Sequence, residues 1–238
     1  MSLEENVRQV KENIAAAARE AGRDPSEITL VAATKVQTDD TIRAAIAAGI
    51  TVCGENRVQE MTAHLDDDAY AGAALHFIGH LQTNKVKYVV GRVDMIESID
   101  SRRLLEAVEA QAAKLDLVQD ILLEINVGGE ESKSGAAPEE ALELARLAVE
   151  LPHIRLRGLM AIPPVATVPG GNRHFFAEMY HLYVDIRTAL DHNGTDMDCL
   201  SMGMSGDYED AVREGATHVR VGTALFGPRP PMAKQNQG

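Results

Sequence analysis

Apolar positions along the 238-residue chain recur in two alternating rhythms. Short, continuously apolar runs of strand length lie at 28–34 (ITLVAAT), 49–54 (GITVCG), 74–79 (ALHFIG), 93–98 (VDMIES), 120–127 (DILLEINV), 154–160 (IRLRGLM), 197–203 (MDCLSMG) and 217–223 (THVRVGT). Between them the pattern lengthens to a helical period, at Asp39–Ala48, Arg57–His64, Arg102–Lys114, Pro138–Glu150, Arg173–Asp191 and Tyr208–Glu214. Ahead of the first run, Val7, Val10, Ile14 and Ala17 share one helical face that Gly22 stops. Pro138 with two glutamates behind it suits a first helical turn.

Eight strand-like runs, each followed by a helix or a helix-sized gap, predict an α/β fold: a (β/α)8 TIM barrel with an extra N-terminal helix. Continuous apolarity is what strands covered on both faces require. The competing fold is an open doubly wound sheet, marked by G-x-G-x-x-G after its first strand. Here the first run ends in Thr34-Lys35. With no linker or repeat, residues 1–228 read as a single barrel domain and 229–238 as a mobile tail.

Composition narrows the function. Apolar residues make up 45% and aromatics 4% with no Trp, so the core rests on Ala, Val, Leu, Ile and Met. A net charge of −13 argues against nucleic acid or an anionic membrane as partner, while leaving room for a local basic pocket. Cys53 and Cys199 lie outside any metal-type spacing and read as reduced core thiols. The N-terminus has no apolar core of a signal peptide, and no run reaches transmembrane length. The expectation is a soluble cytoplasmic protein, monomeric because a barrel needs no partner to close.

In such a barrel the working residues sit where strands end. Lys35 follows the first run, Glu55-Asn56 the second, His80 and Gln82-Thr83-Asn84-Lys85 the third. Asn126, Met160, Ser201 and Arg220 mark the ends of later runs. A lone lysine at a strand end is usually a solvated cap; in this company it becomes a candidate amine nucleophile. Two segments suit an anion: SMGMSGDYEDA at 201–211, where small residues lead into a helix, and VRVGTALFG at 219–227, with Gly222 and Thr223 after the last strand. Loops after strands seven and eight form a recurrent phosphate site. A lysine facing a phosphate site suggests a Schiff base with pyridoxal 5′-phosphate (PLP). No Asp stands at the last strand end to keep a pyridine nitrogen protonated; Arg220 there would disfavour its protonation.

LVAATKVQ, GENRVQE, HFIGHLQTNKVK, INVGGEESKSG, LRGLMAIPP and LSMGMSGDYEDAVREGATHVRVGTALFG together resemble the pyridoxal-phosphate homeostasis protein family, over residues 3 to 228. The resemblance implies a single barrel similar to the N-terminal domain of alanine racemase. It also implies PLP held as an internal aldimine, and a role in the intracellular balance of B6 vitamers with no established turnover. It makes Lys35 the Schiff-base lysine and Arg220 the partner of the pyridine nitrogen. Ser201, with the backbone of Met204, Ser205, Gly206, Gly222 and Thr223, becomes the phosphate cradle. Asn56 and Met160 line the cofactor, and His80 and 82–85 line the mouth. Many relatives carry Ser where Thr34 stands; the hydroxyl is kept. Acceptor enzymes lacking PLP are the implied partners.

Three functions compete. The first is a PLP carrier or regulator with little or no catalysis. The second is a PLP-dependent amino-acid racemase, which needs a second proton-transfer group. In the racemase a tyrosine of a further β domain supplies it; this chain is expected to bring no such domain, and Tyr208 is the nearest candidate. The third is a phosphate-ester barrel using Lys35 as aldolases do. His174, Glu178 and His181 share a helix face, read as outward or packing rather than metal-binding. Asp66–Asp68 reads as a solvated loop and Lys133 as a loop lysine with a salt bridge or a place at the mouth.

Overall fold

The computed structural model describes residues 2–130, 134–190 and 197–228; Lys133, Asp191 and the tail at 229–238 lie outside the described residues. Eight parallel strands close into a barrel in chain order. They are β1 (Thr29–Ala33), β2 (Val52–Glu55), β3 (Ala74–Phe77), β4 (Met95–Ile99), β5 (Gln119–Ile125), β6 (Ile154–Ala161), β7 (Cys199–Ser201) and β8 (His218–Val221). Closure is made by β8 pairing with β1, Val31 opposite Arg220. The helices are α1 (Leu3–Glu20), α2 (Asp39–Ala47), α3 (Val58–Asp66), α4 (Arg102–Leu115), α5 (Ala141–Glu150), α6 (Arg173–Leu190), α7 (Tyr208–Arg213) and the short α8 (Thr223–Phe226).

Helix α1 starts from a reciprocal cap: Ser2 Oγ accepts from Glu5 N and Glu5 takes the Ser2 N–H. It buries Val7, Val10, Ile14, Ala17 and Ala18. Asn6 donates to Leu225 O at 2.8 Å and Asn13 to Tyr208 Oη at 2.9 Å, so α1 binds both helices that border the last two strands. On α6, His174, Glu178 and His181 face solvent while Phe176, Met179 and Tyr183 are buried. Pro138–Glu140 forms a tight 3₁₀ turn and α5 begins one turn later than the sequence suggests. The gap after β3 holds a 3₁₀ turn, Thr83–Tyr88, instead of an α-helix. Three buried valines, Val86, Val89 and Val90, are β-branched and disfavour a longer α-helix there.

The main core lies between sheet and helices. A second, small cluster of Met95, Leu122, Met160 and Cys199 fills the barrel interior. Beside Val31 and Ile78, which meet at Gly54, much of the interior is polar, contrary to the continuously apolar reading of the runs. His76, Glu97, Glu124, Ser201 and Arg220 are buried there on strands, while Glu55 is buried on the outer face of β2 against Thr34 and Tyr70. At the opposite end of the barrel, Arg157 clamps Asp120 and Asp198 at 2.6 Å each, tying β5, β6 and β7 together. Gly158 on β6 has φ +151°, and a Cβ there would meet Cys199 O at 1.7 Å; the strands approach too closely for a side chain.

Candidate active site

The first strand delivers Lys35 to a turn in which Gln37 N donates to Thr34 O at 3.0 Å. Thr34 is fully buried; its Oγ1 lies 3.0 Å from Glu55 Oε2, which also accepts from Tyr70 Oη at 3.1 Å. Burial raises the Glu55 carboxyl above its ordinary value, against hydrogen bonds from Asn56 N, Thr34 and Tyr70. Asn56 is held between that carboxyl, at 2.8 Å from its N–H, and Gly79. A Cβ on Gly79 would sit 2.1 Å from Asn56 O, so the second and third strand ends meet backbone to backbone.

Lys35 opens on a cavity of about 420 Å³ at the C-terminal ends of the strands. Eight of the ten residues expected from sequence line it: Lys35, Asn56, Met204, Ser205, Gly206, Arg220, Gly222 and Thr223. Ala33, Gln37, Ile78, Ile162, Phe226 and Gly227 complete the wall. These lie within two to four residues of an expected position; all but Gln37 and Gly227 are apolar and carried no chemical signal in the sequence, and Gly227 ends the 219–227 segment.

Ser201 and Met160 are placed elsewhere. Met160 is fully buried in the interior cluster, two residues short of Ile162, which makes the cavity wall just past the end of β6. Ser201 is fully buried beneath the cavity. Its hydroxyl donates to Glu97 Oε2 at 2.6 Å and accepts from Arg220 Nη1 at 2.5 Å, which leaves no hydrogen for a phosphate. His80 is exposed beside Asp100 at 3.4 Å, and neither it nor residues 82–85 line the cavity.

The end of the cavity beside the turn after β7 is organised by Ser205. Its Oγ accepts from Gly222 N at 3.1 Å and Ala224 N at 3.2 Å. With two N–H groups on its lone pairs, its own hydrogen is left for an acceptor in the cavity. The Gly222 N–H, expected as a phosphate donor, is therefore already used. The turn itself is tied by Asp207, whose Oδ1 accepts from Met204 N and whose Oδ2 accepts from the buried Asn172. A Cβ on Gly206 would meet no atom within 4 Å, so this residue faces open space.

Arg220 forms the floor. It is 4% exposed, and Nη2 donates to Ala161 O at 2.8 Å. Burial lowers its pKa, while Glu97, Glu124 and Asp207 oppose that; the guanidinium stays cationic. Burial alone would raise Glu97, but His76, 2.7 Å away, together with Arg220 and His218 holds it down to about 2. Both cysteines are buried, and burial pushes the Cys53 thiol up to about 12.

The model of the alanine racemase N-terminal domain matches residues 6–230. A pyridoxal phosphate homeostasis protein of Aquifex aeolicus is 42% identical over 233 residues, covering 96% of this chain and 99% of the relative. This chain belongs to the pyridoxal phosphate homeostasis protein family. The family's Escherichia coli K12 member is 39% identical, with 94% and 95% of the two chains covered. The structure of PipY of Synechococcus elongatus with PLP bound superposes with TM-score 0.82 at 30% identity, covering 95% of this chain and all of that one. An unknown protein from Bifidobacterium adolescentis superposes with TM-score 0.85 at 38% identity, over 94% of each chain. Alanine racemase of Clostridium difficile shares the fold at 15% identity, TM-score 0.73, across 57% of its own chain.

Proposed function

We propose that this chain binds PLP through Lys35 and serves to hold and hand on the cofactor, with little or no turnover. The observation that carries the reading is that Lys35, the Ser205–Gly206 turn, Thr223 and Arg220 line one and the same cavity. PLP supplies an aldehyde that condenses with an amine and a phosphate that anchors the other end. The residues present fit that group. Asn56 Oδ1 is buried with no hydrogen-bond partner among the described residues, on the cavity wall, so an acceptor waits for a donor. Lys35 offers the amine; the Ser205 hydroxyl and the Gly206 and Thr223 backbone suit the phosphate. Arg220 keeps a positive charge at the floor and so opposes protonation of a ring nitrogen set beside it.

The racemase reading loses its second proton-transfer group. None of the five tyrosines lines the cavity, and Tyr208 Oη is bonded to Asn13 on α1. The remaining parts of the proposal are a cytoplasmic monomer, and PLP-requiring enzymes without their cofactor as recipients. No helix among the described residues is long and apolar enough to cross a membrane, which agrees with that reading.

The test is an absorbance spectrum of the purified protein before and after borohydride, then peptide mapping, then an amino-acid turnover assay. A bleachable visible band with a pyridoxyl mass on Lys35, and no racemisation, is the expected result. Lys35→Ala should lose the band and keep its fold, since the side chain ends at a cavity. A chain that stays colourless with added PLP overturns the reading in favour of another phosphate ester.

A further inference from the structure

Three non-glycine residues among those described have positive φ: Val36, Asp68 and Asp116. Two are aspartates in the turns that close helices, where such a backbone is tolerated. Val36 is different. It is β-branched, has φ +60°, and immediately follows Lys35. It stands third in the four-residue turn Thr34–Gln37, a place glycine ordinarily fills when φ is positive. A β-branched residue held there is strained. Packing does not hold it, because the Val36 side chain is half exposed.

What holds the turn is a pair of glutamates from GENRVQE. Val36 N donates to Glu60 Oε2 at 3.0 Å, and Arg57 fixes the other oxygen of Glu60 at 3.1 Å. On the other side of Lys35, Thr34 is tied to the buried Glu55. The residue carrying the amine is thus clamped through both neighbours. Only one of these clamps, Glu60, opposes a strained backbone.

We infer that Glu60 is a positioning residue for Lys35: by taking the Val36 N–H it keeps the strained turn in the form that presents the amine to the cavity. This rests on the reading of Lys35 as the bonding amine. The step it serves is condensation, in which the ε-nitrogen adds to the aldehyde carbon and one water leaves. Glu60 takes no part in that exchange of atoms. Its contribution is to the population of the productive turn. Glu60→Gln keeps a carbonyl oxygen for the N–H; Glu60→Ala removes it. Val36→Gly makes the left-handed turn unstrained, so the tether becomes dispensable.

The experiment follows the rate at which added PLP becomes borohydride-trappable on Lys35, in the full chain and its variants, with thermal midpoints recorded alongside. Glu60→Ala should slow trapping roughly tenfold, the scale of a lost charge-assisted hydrogen bond. Glu60→Gln should stay near the parent. The double variant Glu60→Ala/Val36→Gly should recover most of the loss, which a merely structural defect would not do. Equal trapping by parent and Glu60→Ala, or no recovery in the double variant, overturns the inference. Amide exchange at Val36, measured without PLP, separates this from the cofactor reading. Protection lost in Glu60→Ala and in no other respect supports the clamp whatever the cavity binds. An unprotected Val36 amide in the parent overturns it. A parent that never traps PLP sinks the cofactor reading instead.

Discussion

Glu97 on β4 and Arg220 on β8 face each other across the barrel interior, 3.9 Å apart, with the Ser201 hydroxyl bonded to both. The pair is fully buried, so its worth lies in mutual satisfaction more than in raw attraction. His76 occupies the other oxygen of Glu97, and its ring stacks 6.0 Å from His218. The floor of the cavity is therefore set by a polar strut spanning opposite strands.

Removing one end of that strut leaves a buried charge unpaired. Glu97→Gln is expected to cost about 3–5 kcal/mol in a urea titration. A loss no larger than that of a surface substitution would show that the strut carries no load.

Acid should weaken the fold in two stages. Burial pushes His218 down to about 4 from an ordinary 6.5, with Glu97 opposing and His76 adding to the fall. The unfolded chain then binds more protons between those values, so stability drops as pH falls from about 6.5 to 4. For a partly exposed ring the loss is on the order of 2 kcal/mol. Glu97 adds a second loss as pH falls from its ordinary 4.5 towards about 2. Glu55 and Glu124, raised by burial, act the opposite way and flatten the profile above pH 4.5. His218→Asn should therefore show a shallower fall of unfolding free energy between pH 6.5 and 4 than the parent. Parallel profiles would remove His218 from the account.

The two serines expected at one phosphate site should behave differently. Ser205→Ala frees the Gly222 and Ala224 N–H groups and deletes the outward hydroxyl; PLP retention should fall about tenfold with stability little changed. Ser201→Ala should instead lower stability by about 1–3 kcal/mol, through Glu97 and Arg220, as a lost buried hydrogen bond does. Dialysis retention of PLP and urea midpoints for both variants distinguish them, and the reverse outcome would return Ser201 to the cradle.

Gly79→Ala places a Cβ 2.1 Å from the Asn56 carbonyl, a backbone atom that cannot rotate away. We expect a loss of roughly 3 kcal/mol or more. Because Asn56 lines the cavity, PLP retention should fall with it. Normal behaviour in both assays would mean that the strand ends can part without cost.

By itself the sequence determined the number and order of the strands, the N-terminal helix, and the end of the barrel where chemistry gathers. Those features follow from local periodicity: short, mostly apolar runs alternate with stretches of helical period, and a strand end must turn. Lys35, Arg220 and the residues 204–206 and 222–223 were legible because they stand at or just past such ends. The tertiary structure alone decided which of two serines faces the cavity, since depth along a strand depends on register and barrel tilt. It alone showed that Met160 stops short and Ile162 reaches the wall. The buried ladder of Glu97, His76, Ser201 and Arg220 was also invisible, because its members come from strands far apart in the chain and only closure brings their charges together. The left-handed Val36 belongs to the same class: nothing in a valine announces positive φ, and only the glutamate that holds its N–H explains it.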